Sequence, residues 1–321
     1  MSWALAEAET RFGVMLDGGM DDAEVTATLI ELAERGETAE EIAGAVKAMR
    51  ARMTAIAAPA GAIDVCGTGG DGQHSVNVST AVALVVAACG VPVAKHGNRA
   101  ASSLAGGADT LEALGLNLAR AGELAEVTLP DLGIAFMFAP AHHPALARLA
   151  PIRKALGRRT IFNLTGPLAN PARVARQLVG VAHPNLIALY RDAMRLLGTE
   201  AAMVVSGEEG LDELSIAGPS FIATIGLERH AGEIAPLDAG LMPHPLEGLR
   251  GGDAAFNAAA LRRVLLGEAG AYRDAVLFNS AAALIVAGQV DDWFEGVEEA
   301  AEALDRGLAN ALLDCWIEAV K

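Results

Sequence analysis

Apolar and polar positions follow two rhythms along this chain. As far as about residue 58 the rhythm is helical. "DDAEVTATLIELAERG" opens at Asp22, spaces its apolar residues as a helix does and stops at Gly36. "TAEEIAGAVKAMRARM" opens at Thr38 and carries Glu41 where a capping box needs it. "AAPAG", residues 57–61, reads as a linker. From residue 62 the rhythm changes. Apolar runs at about 62–66, 91–95, 134–138, 178–182 and 202–206 predict strands, and helical stretches at about 79–89, 102–114, 144–156 and 185–197 alternate with them. "LSIAG", "SFIATIG" and "RHAGEIAPL" lie closer together and predict added antiparallel strands at one edge. From "AAFNAAALRRVLLG" onward the pattern is helical again. The expected fold class is α/β: a small all-helical N-terminal domain over residues 1–61, then a larger domain over 62–321. The larger domain has a mainly parallel central sheet with helices on its faces.

Composition narrows this picture. A chain of 321 residues, 52% hydrophobic and 4% aromatic, can bury a large core and is not a disordered chain. Its net charge of −16 argues against nucleic acid or an anionic membrane surface as a main partner. Cys66, Cys89 and Cys315 are far apart and sit in apolar surroundings, so buried reduced thiols are expected rather than disulfides or a zinc site. "MSWALAEAETRFG" lacks the basic and apolar regions of a secretion signal. The longest apolar run, Ala81 to Ala94, is interrupted by Gly90 and Pro92 and falls short of the ~18 residues of a membrane span. A cytoplasmic protein is expected.

The candidate chemistry sits in clusters that each follow a predicted strand: "GTGGDGQHSVNVST", "KHGNRAASS", "APAHHP" and "SGEEGLDE". Open parallel sheets bind ligands at the carboxyl ends of their strands, so these clusters would meet in one crevice. Gly67, Gly69 and Gly72 satisfy G-x-G-x-x-G. A dinucleotide site, however, wants an acid ~20 residues further on, where Lys95 and His96 stand. A P-loop wants Lys and Ser or Thr after its last glycine, where Gln73 and His74 stand. Either a ligand-free turn or an anion cradle of backbone amides remains, the latter helped by Ser79 and Thr80 at a helix start. Lys95, Arg99, Ser102 and Ser103 are phosphate-type donors and favour the cradle. Asp212 and Glu213 in the acidic loop could hold Mg²⁺ against phosphates, or could be a solvated surface. His142 and His143 lack an evident third metal ligand, which leaves packing or substrate contact. Arg153 could meet a carboxylate or simply be a surface charge. The residues alone describe a Mg²⁺-dependent enzyme acting on a substrate with several phosphates, by positioning and charge stabilisation.

Taken together, these clusters and "RTIFNLTGPLANP" and "GEEGLDELSIAGP" resemble the anthranilate phosphoribosyltransferase family, of the nucleoside phosphorylase-like glycosyltransferases. The resemblance runs over essentially the whole chain, with "KHGNR" setting it apart from the pyrimidine nucleoside phosphorylases. It implies transfer of a phosphoribosyl group from phosphoribosyl pyrophosphate to anthranilate in tryptophan biosynthesis, Mg²⁺ as a pair of ions, and a homodimer joined through the helical domains. It also implies that part of about 150–175 packs into the helical domain. Matched residue by residue, Gly67, Gly70, Asp71, Ser75, Asn77, Val78, Ser79, Thr80, Lys95, His96, Gly97, Asn98, Arg99, Ala100, Ala101, Ser102, Ser103 and Gly107 would line the phosphoribosyl pyrophosphate site. Gly67, Asn98 and Arg153 would contact anthranilate, with His96 and His143 beside it. Ser79, Asp212 and Glu213 would hold Mg²⁺. Lys95, Asn98, Arg99, Asp212 and Glu213 would be the catalytic set. The chain departs from the family at Gly107, where Ser is common, at Val76, where Phe is commoner, and at Phe256, where Glu is frequent. Two other readings are a non-catalytic relative that binds nucleic acid or a partner, and a pyrimidine nucleoside phosphorylase. The Asp212–Glu213 pair, "KHGNR" and the acidic balance speak against them.

Overall fold

The computed structural model describes residues 2–100 and 104–321. Three helices open the chain: α1 (Leu5–Leu16), α2 (Asp22–Arg35) and α3 (Ala39–Arg50). The cap of α2 is Asp21, one residue before the predicted start: its side chain accepts from Glu24 N, and Glu24 returns the bond to Asp21 N. Thr38 and Glu41 form the predicted capping box of α3. Glu41 does more than cap. It is buried, accepts from Trp3 N at 2.8 Å and pairs with Arg35, so one carboxylate ties the N-terminus and α2 to α3.

The chain then builds a sheet. The strand β1 (Ile63–Gly67) leads through α4 (Val78–Ala88) to β2 (Val93–Gly97). Next come α5 (Gly107–Ala113), α6 (Leu118–Glu123), α7 (Ala125–Leu132) and β3 (Ile134–Phe138). The predicted helix over 102–114 begins only at Gly107, and residues 101–103 lie outside the described residues. Three short helices follow: α8 (Ala139–His142), α9 (Ala150–Leu156) and α10 (Phe162–Thr165). The stretch predicted as one helix at 144–156 is a 3₁₀ segment over Pro144–Leu149 and then α9, each with a proline in its first turn. The strand β4 (Arg176–Gly180), the helix α11 (Ile187–Leu196) and the strand β5 (Ala201–Gly207) complete the parallel part. β6 (Ser220–Ile225) and β7 (Gly232–Ile234) add an antiparallel edge. "LSIAG" is not a strand. Side chains take its backbone amides: Asn279 accepts from Leu214 N and the Ser220 hydroxyl from Ser215 N, so no ladder forms there. The helices α12 (Ala254–Leu265), α13 (Ala271–Ala287), α14 (Trp293–Asp305) and α15 (Leu308–Ala319) close the chain.

The seven strands run in the order β3-β2-β1-β4-β5-β6-β7, parallel from β3 to β5. The order reverses between β1 and β4, the place where open α/β sheets form their ligand crevice. One apolar cluster packs α4 and α13 against one face. A second joins Phe12, Leu29 and Val46 of the first helices to Leu149, Phe162 and Leu168, and continues to Val179, Tyr190 and Val204. The first helices thus share a core with the 149–169 segment and with the other face of the sheet. Of the cysteines, Cys66 is buried, Cys89 is half-buried and Cys315 is exposed on α15, against the expectation that all three are buried; all are free thiols. No helix among the described residues is long and apolar enough to cross a membrane.

Candidate active site

The clusters that follow β1, β2, β3 and β5 all leave the same end of the sheet, because those strands are parallel. The glycine loop after β1 turns through positive φ at Gly69, Gly70 and Gly72. Gly67 serves another purpose. A Cβ there would lie 2.2 Å from Asp212 Oδ2, and one on its register partner Gly180 would lie 1.6 Å from the Asp212 carbonyl. These two bare positions let the acidic loop lie across the ends of β1 and β4. Gly180 carries no signal in the sequence beyond a glycine at a strand end.

The acidic loop then engages the glycine loop directly. Gly69 N donates to Asp212 Oδ2 at 2.7 Å, and Gln73 Nε2 donates to the Glu209 carbonyl at 3.0 Å. Ser79 N, in the first turn of α4, donates to Glu213 Oε1 at 3.2 Å. Lys95, buried in the middle of β2, donates to the Val65 carbonyl at 2.7 Å and to Ser79 Oγ at 3.3 Å. Ser79, Lys95, Asp212 and Glu213 are therefore one group of side chains. Asn279 on α13 clamps the loop from behind, accepting from Leu214 N and donating to its carbonyl. An asparagine inside the apolar run "LFNSAAALI" was the signal for that role.

The electrostatics of this group are unbalanced. Burial and the charge of Asp71 push the Asp212 carboxyl up to about 7. Burial and then the charge of Asp212 push Glu213 well above the ordinary range. Asp71 Oδ2 is buried with no hydrogen-bond partner among the described residues. Crowded carboxylates with one orphaned oxygen are what a divalent cation would relieve. Among the described residues no three His, Cys, Asp or Glu side chains are gathered closely enough to cage a metal ion. These side chains do not form a full cage by themselves; together with phosphate oxygens they could complete a coordination shell of the kind Mg²⁺ uses.

A second group lies beside the first. His96 and His143 stack with ring centroids 5.2 Å apart. His96 Nδ1 meets the Gly166 carbonyl at 3.0 Å, which places the proton on Nδ1 and leaves Nε2 an acceptor. Both Nε2 atoms are buried without hydrogen-bond partners among the described residues. Burial lowers His96 to about 3 and His143 to about 4, so both rings are neutral at pH 7. Arg153 on α9 is half-buried, lies 5.7 Å from the centroid of the Phe162 ring, and makes a 3.5 Å contact to Asn163 Oδ1. Burial lowers its guanidinium from the ordinary value. His142 faces elsewhere, with its ring on the Thr54 carbonyl.

Behind this wall stands Asp64, a carboxylate in the strand run "AIDVCG" to which the sequence assigned no role. It is fully buried; Oδ1 accepts from His96 N at 3.2 Å and Oδ2 from Asn170 Nδ2 at 2.7 Å. It braces the His96 backbone against the 166–170 segment. Arg99 is turned away: its guanidinium pairs with Asp109 at 2.9 Å and Glu112 at 2.5 Å. Asn98 accepts from Arg99 N through its side chain and from Ala108 N through its carbonyl. Gly97 ends β2 where a Cβ would strike the Phe136 ring. Ala100 N donates to Asp109 Oδ2, and Ala101, Ser102 and Ser103 lie outside the described residues. Gly107 starts α5, and a Cβ there would sit 3.1 Å from the Thr80 hydroxyl. Val76 is core.

Known proteins share this fold. Residues 4–53 match the glycosyl transferase family, helical bundle domain, and residues 59–310 match the glycosyl transferase family, a/b domain. The anthranilate phosphoribosyltransferase of Novosphingobium aromaticivorans is 64% identical over 317 residues, covering 98% of this chain and 96% of that protein. The crystal structure of the enzyme of that name from Thermus thermophilus superposes with a TM-score of 0.92 at 40% identity, covering 100% of this chain and 96% of that one. The anthranilate phosphoribosyltransferase of Saccharomyces cerevisiae, in complex with PRPP and Mg, superposes with a TM-score of 0.89 at 28% identity, over 99% of this chain and 93% of that one. The chain belongs to this glycosyl transferase family.

Proposed function

We propose that this member of the family transfers the phosphoribosyl group of phosphoribosyl pyrophosphate to the amine of anthranilate and releases pyrophosphate, the second step from chorismate to tryptophan. The observation that carries the reading is the pairing of two unlike groups at one sheet end. Buried, mutually repelling carboxylates face the glycine-loop amides, while neutral His96, next to Lys95 on β2, packs against neutral His143, and Arg153 lies over Phe162 in the segment whose Gly166 carbonyl meets His96. The name and bound ligands of the yeast relative fit that pairing.

In this reading the loop residues Gly67, Gly70, Asp71, Ser75, Asn77, Val78, Ser79 and Thr80 cradle the phosphates, with Lys95 to Ser103 and Gly107 beside them. Lys95 is a fixed cation on β2, held by the Val65 carbonyl of β1. Arg99 reaches substrate only by leaving Asp109 and Glu112. Ser79, Asp212 and Glu213 hold Mg²⁺, as a pair of ions. When bound, Mg²⁺ supplies positive charge against the pyrophosphate leaving group. Arg153 takes the anthranilate carboxylate, and Gly67 and Asn98 border the ring. His96 and His143 accept amine N–H bonds through Nε2 and leave the nitrogen lone pair free to attack. The chain contributes orientation and charge placement rather than a strong base. We further propose a cytoplasmic homodimer joined through the helical segment.

Loss of anthranilate fluorescence on mixing with phosphoribosyl pyrophosphate and Mg²⁺ tests the reading. A saturable, Mg²⁺-dependent loss is expected. No loss over a wide range of both substrates would overturn it.

A further inference from the structure

Asn77 stands at the start of α4, between the glycine loop and Ser79. Its side chain does not cap the helix; a relay of hydrogen bonds holds it instead. Gly252 N donates to Asn257 Oδ1 at 2.8 Å. A backbone N–H can only donate, so the Asn257 amide has one orientation, with Nδ2 on its other side. That Nδ2 donates to Asn77 Oδ1 at 3.0 Å, and the Thr110 hydroxyl donates to the same oxygen. Asn77 Nδ2 then donates to the Ala105 carbonyl at 3.2 Å, which can only accept. Both ends of the relay are backbone groups of fixed polarity. Turning either amide over would set N–H against N–H, or carbonyl against carbonyl.

The relay is built in. Asn257 is 1% exposed on α12. The segment before it is laced to the glycine loop: Val76 N donates to the Leu249 carbonyl, and Gly251 N to the His74 carbonyl, both at 2.8 Å. A Cβ on Gly251 would lie 2.7 Å from the Ser75 carbonyl and 3.0 Å from Asn257 Oδ1, so this approach requires glycine. The Phe256 ring covers Gly252, where a Cβ would meet it at 2.9 Å. Tyr272 OH adds a bond to the Asn77 carbonyl at 3.0 Å.

We propose that Asn257 is a positioning residue for phosphoribosyl pyrophosphate: through Gly252 N–H, Asn257 and Asn77 Oδ1, it fixes the Asn77 amide so that an Nδ2 N–H, and not a carbonyl, is offered to the phosphates. This rests on the proposed function, because it takes Asn77 as a phosphate contact. The relay belongs to the donor side only and does not touch the His96–Arg153 side.

A double-mutant cycle tests it. Phosphoribosyl pyrophosphate affinity is measured by calorimetry with Mg²⁺, alongside kcat and the anthranilate KM, for Asn257→Ala, Asn77→Ala and the pair. Asn257→Ala should weaken phosphoribosyl pyrophosphate binding at least fivefold and leave the anthranilate KM within twofold. The double variant should bind no worse than Asn77→Ala alone, since Asn257 acts only through Asn77. A change under fivefold, a matching rise in the anthranilate KM, or a double variant as weak as the product of the singles would overturn the proposal. Thr110→Val, which removes the other donor to Asn77 Oδ1, carries the same comparison if Asn257→Ala does not fold. An inactive wild type would instead refute the proposed function, which separates the two failures.

Discussion

The molecule holds two sets of acids behind one sheet end, and they are treated in opposite ways. Asp64 is fully buried, yet each of its oxygens accepts a hydrogen bond, from His96 N and from Asn170. Asp212 and Glu213 each accept one backbone hydrogen bond, at 2.7 and 3.2 Å, and then face each other and Asp71. Burial raises the carboxyl of all three groups, but only at the pair does like charge add to it. A compensated acid is architecture. An acid pair that repels itself at the carboxyl end of the sheet, with Lys95 opposing only part of the shift at Glu213, fits the seat that the proposed function gives to a cation.

The comparison can be broken at either side. Replacing Asp212 and Glu213 together by Ala should reduce turnover by about a thousandfold, or ~4 kcal/mol of transition-state stabilisation, while the melting temperature holds or rises. A large loss of stability with turnover preserved would reverse the roles. Asp64→Ala should do the opposite first. It strips an acceptor from two buried donors at roughly 1–3 kcal/mol each, which calorimetric or chemical unfolding would read as a lower midpoint. A midpoint equal to wild type would show that Asp64 is not structural.

A smaller effect concerns the histidine wall. His96 and His143 titrate at about 3 and about 4 in the folded protein, against 6.5 for a free histidine. Their pKa values are depressed, so below pH 6.5 the unfolded chain takes up protons that the native state refuses. Stability is therefore full above pH 6.5 and falls as pH drops toward 4, at up to about 1.4 kcal/mol per pH unit for each ring. The His96→Gln/His143→Gln variant should show a shallower fall over that window, whatever its stability at pH 7. Parallel curves would remove the histidines from the acid response.

Much of this was legible in the sequence, because strand runs and turn glycines are local signals. β3 appears where its apolar run predicts it, and the clusters after β1, β2, β3 and β5 leave one sheet end. "LSIAG" misled because its alternation is apolar packing of Leu214 and Ile216, while side chains from α13 and Ser220 hold its backbone. Asp64, Gly180, Asn257 and Asn279 escaped notice because their roles depend on partners distant in sequence. Asn170 lies 106 residues from Asp64, and Asn257 lies 180 residues from Asn77. The pairing of Arg99 with Asp109 and Glu112 was equally invisible, since "KHGNR" reads the same in either rotamer.

The central claim is that Asp212 and Glu213 are a cation seat completed by a phosphate ligand. Thermal unfolding with Mg²⁺ and pyrophosphate, compared with pyrophosphate alone, tests it most directly. The wild type should gain about 5 °C from Mg²⁺ at saturating ligand. Asp212→Asn/Glu213→Gln, which keeps the shapes and removes the charges, should gain about 1 °C or less on the same scale. An equal gain in both proteins would contradict the account.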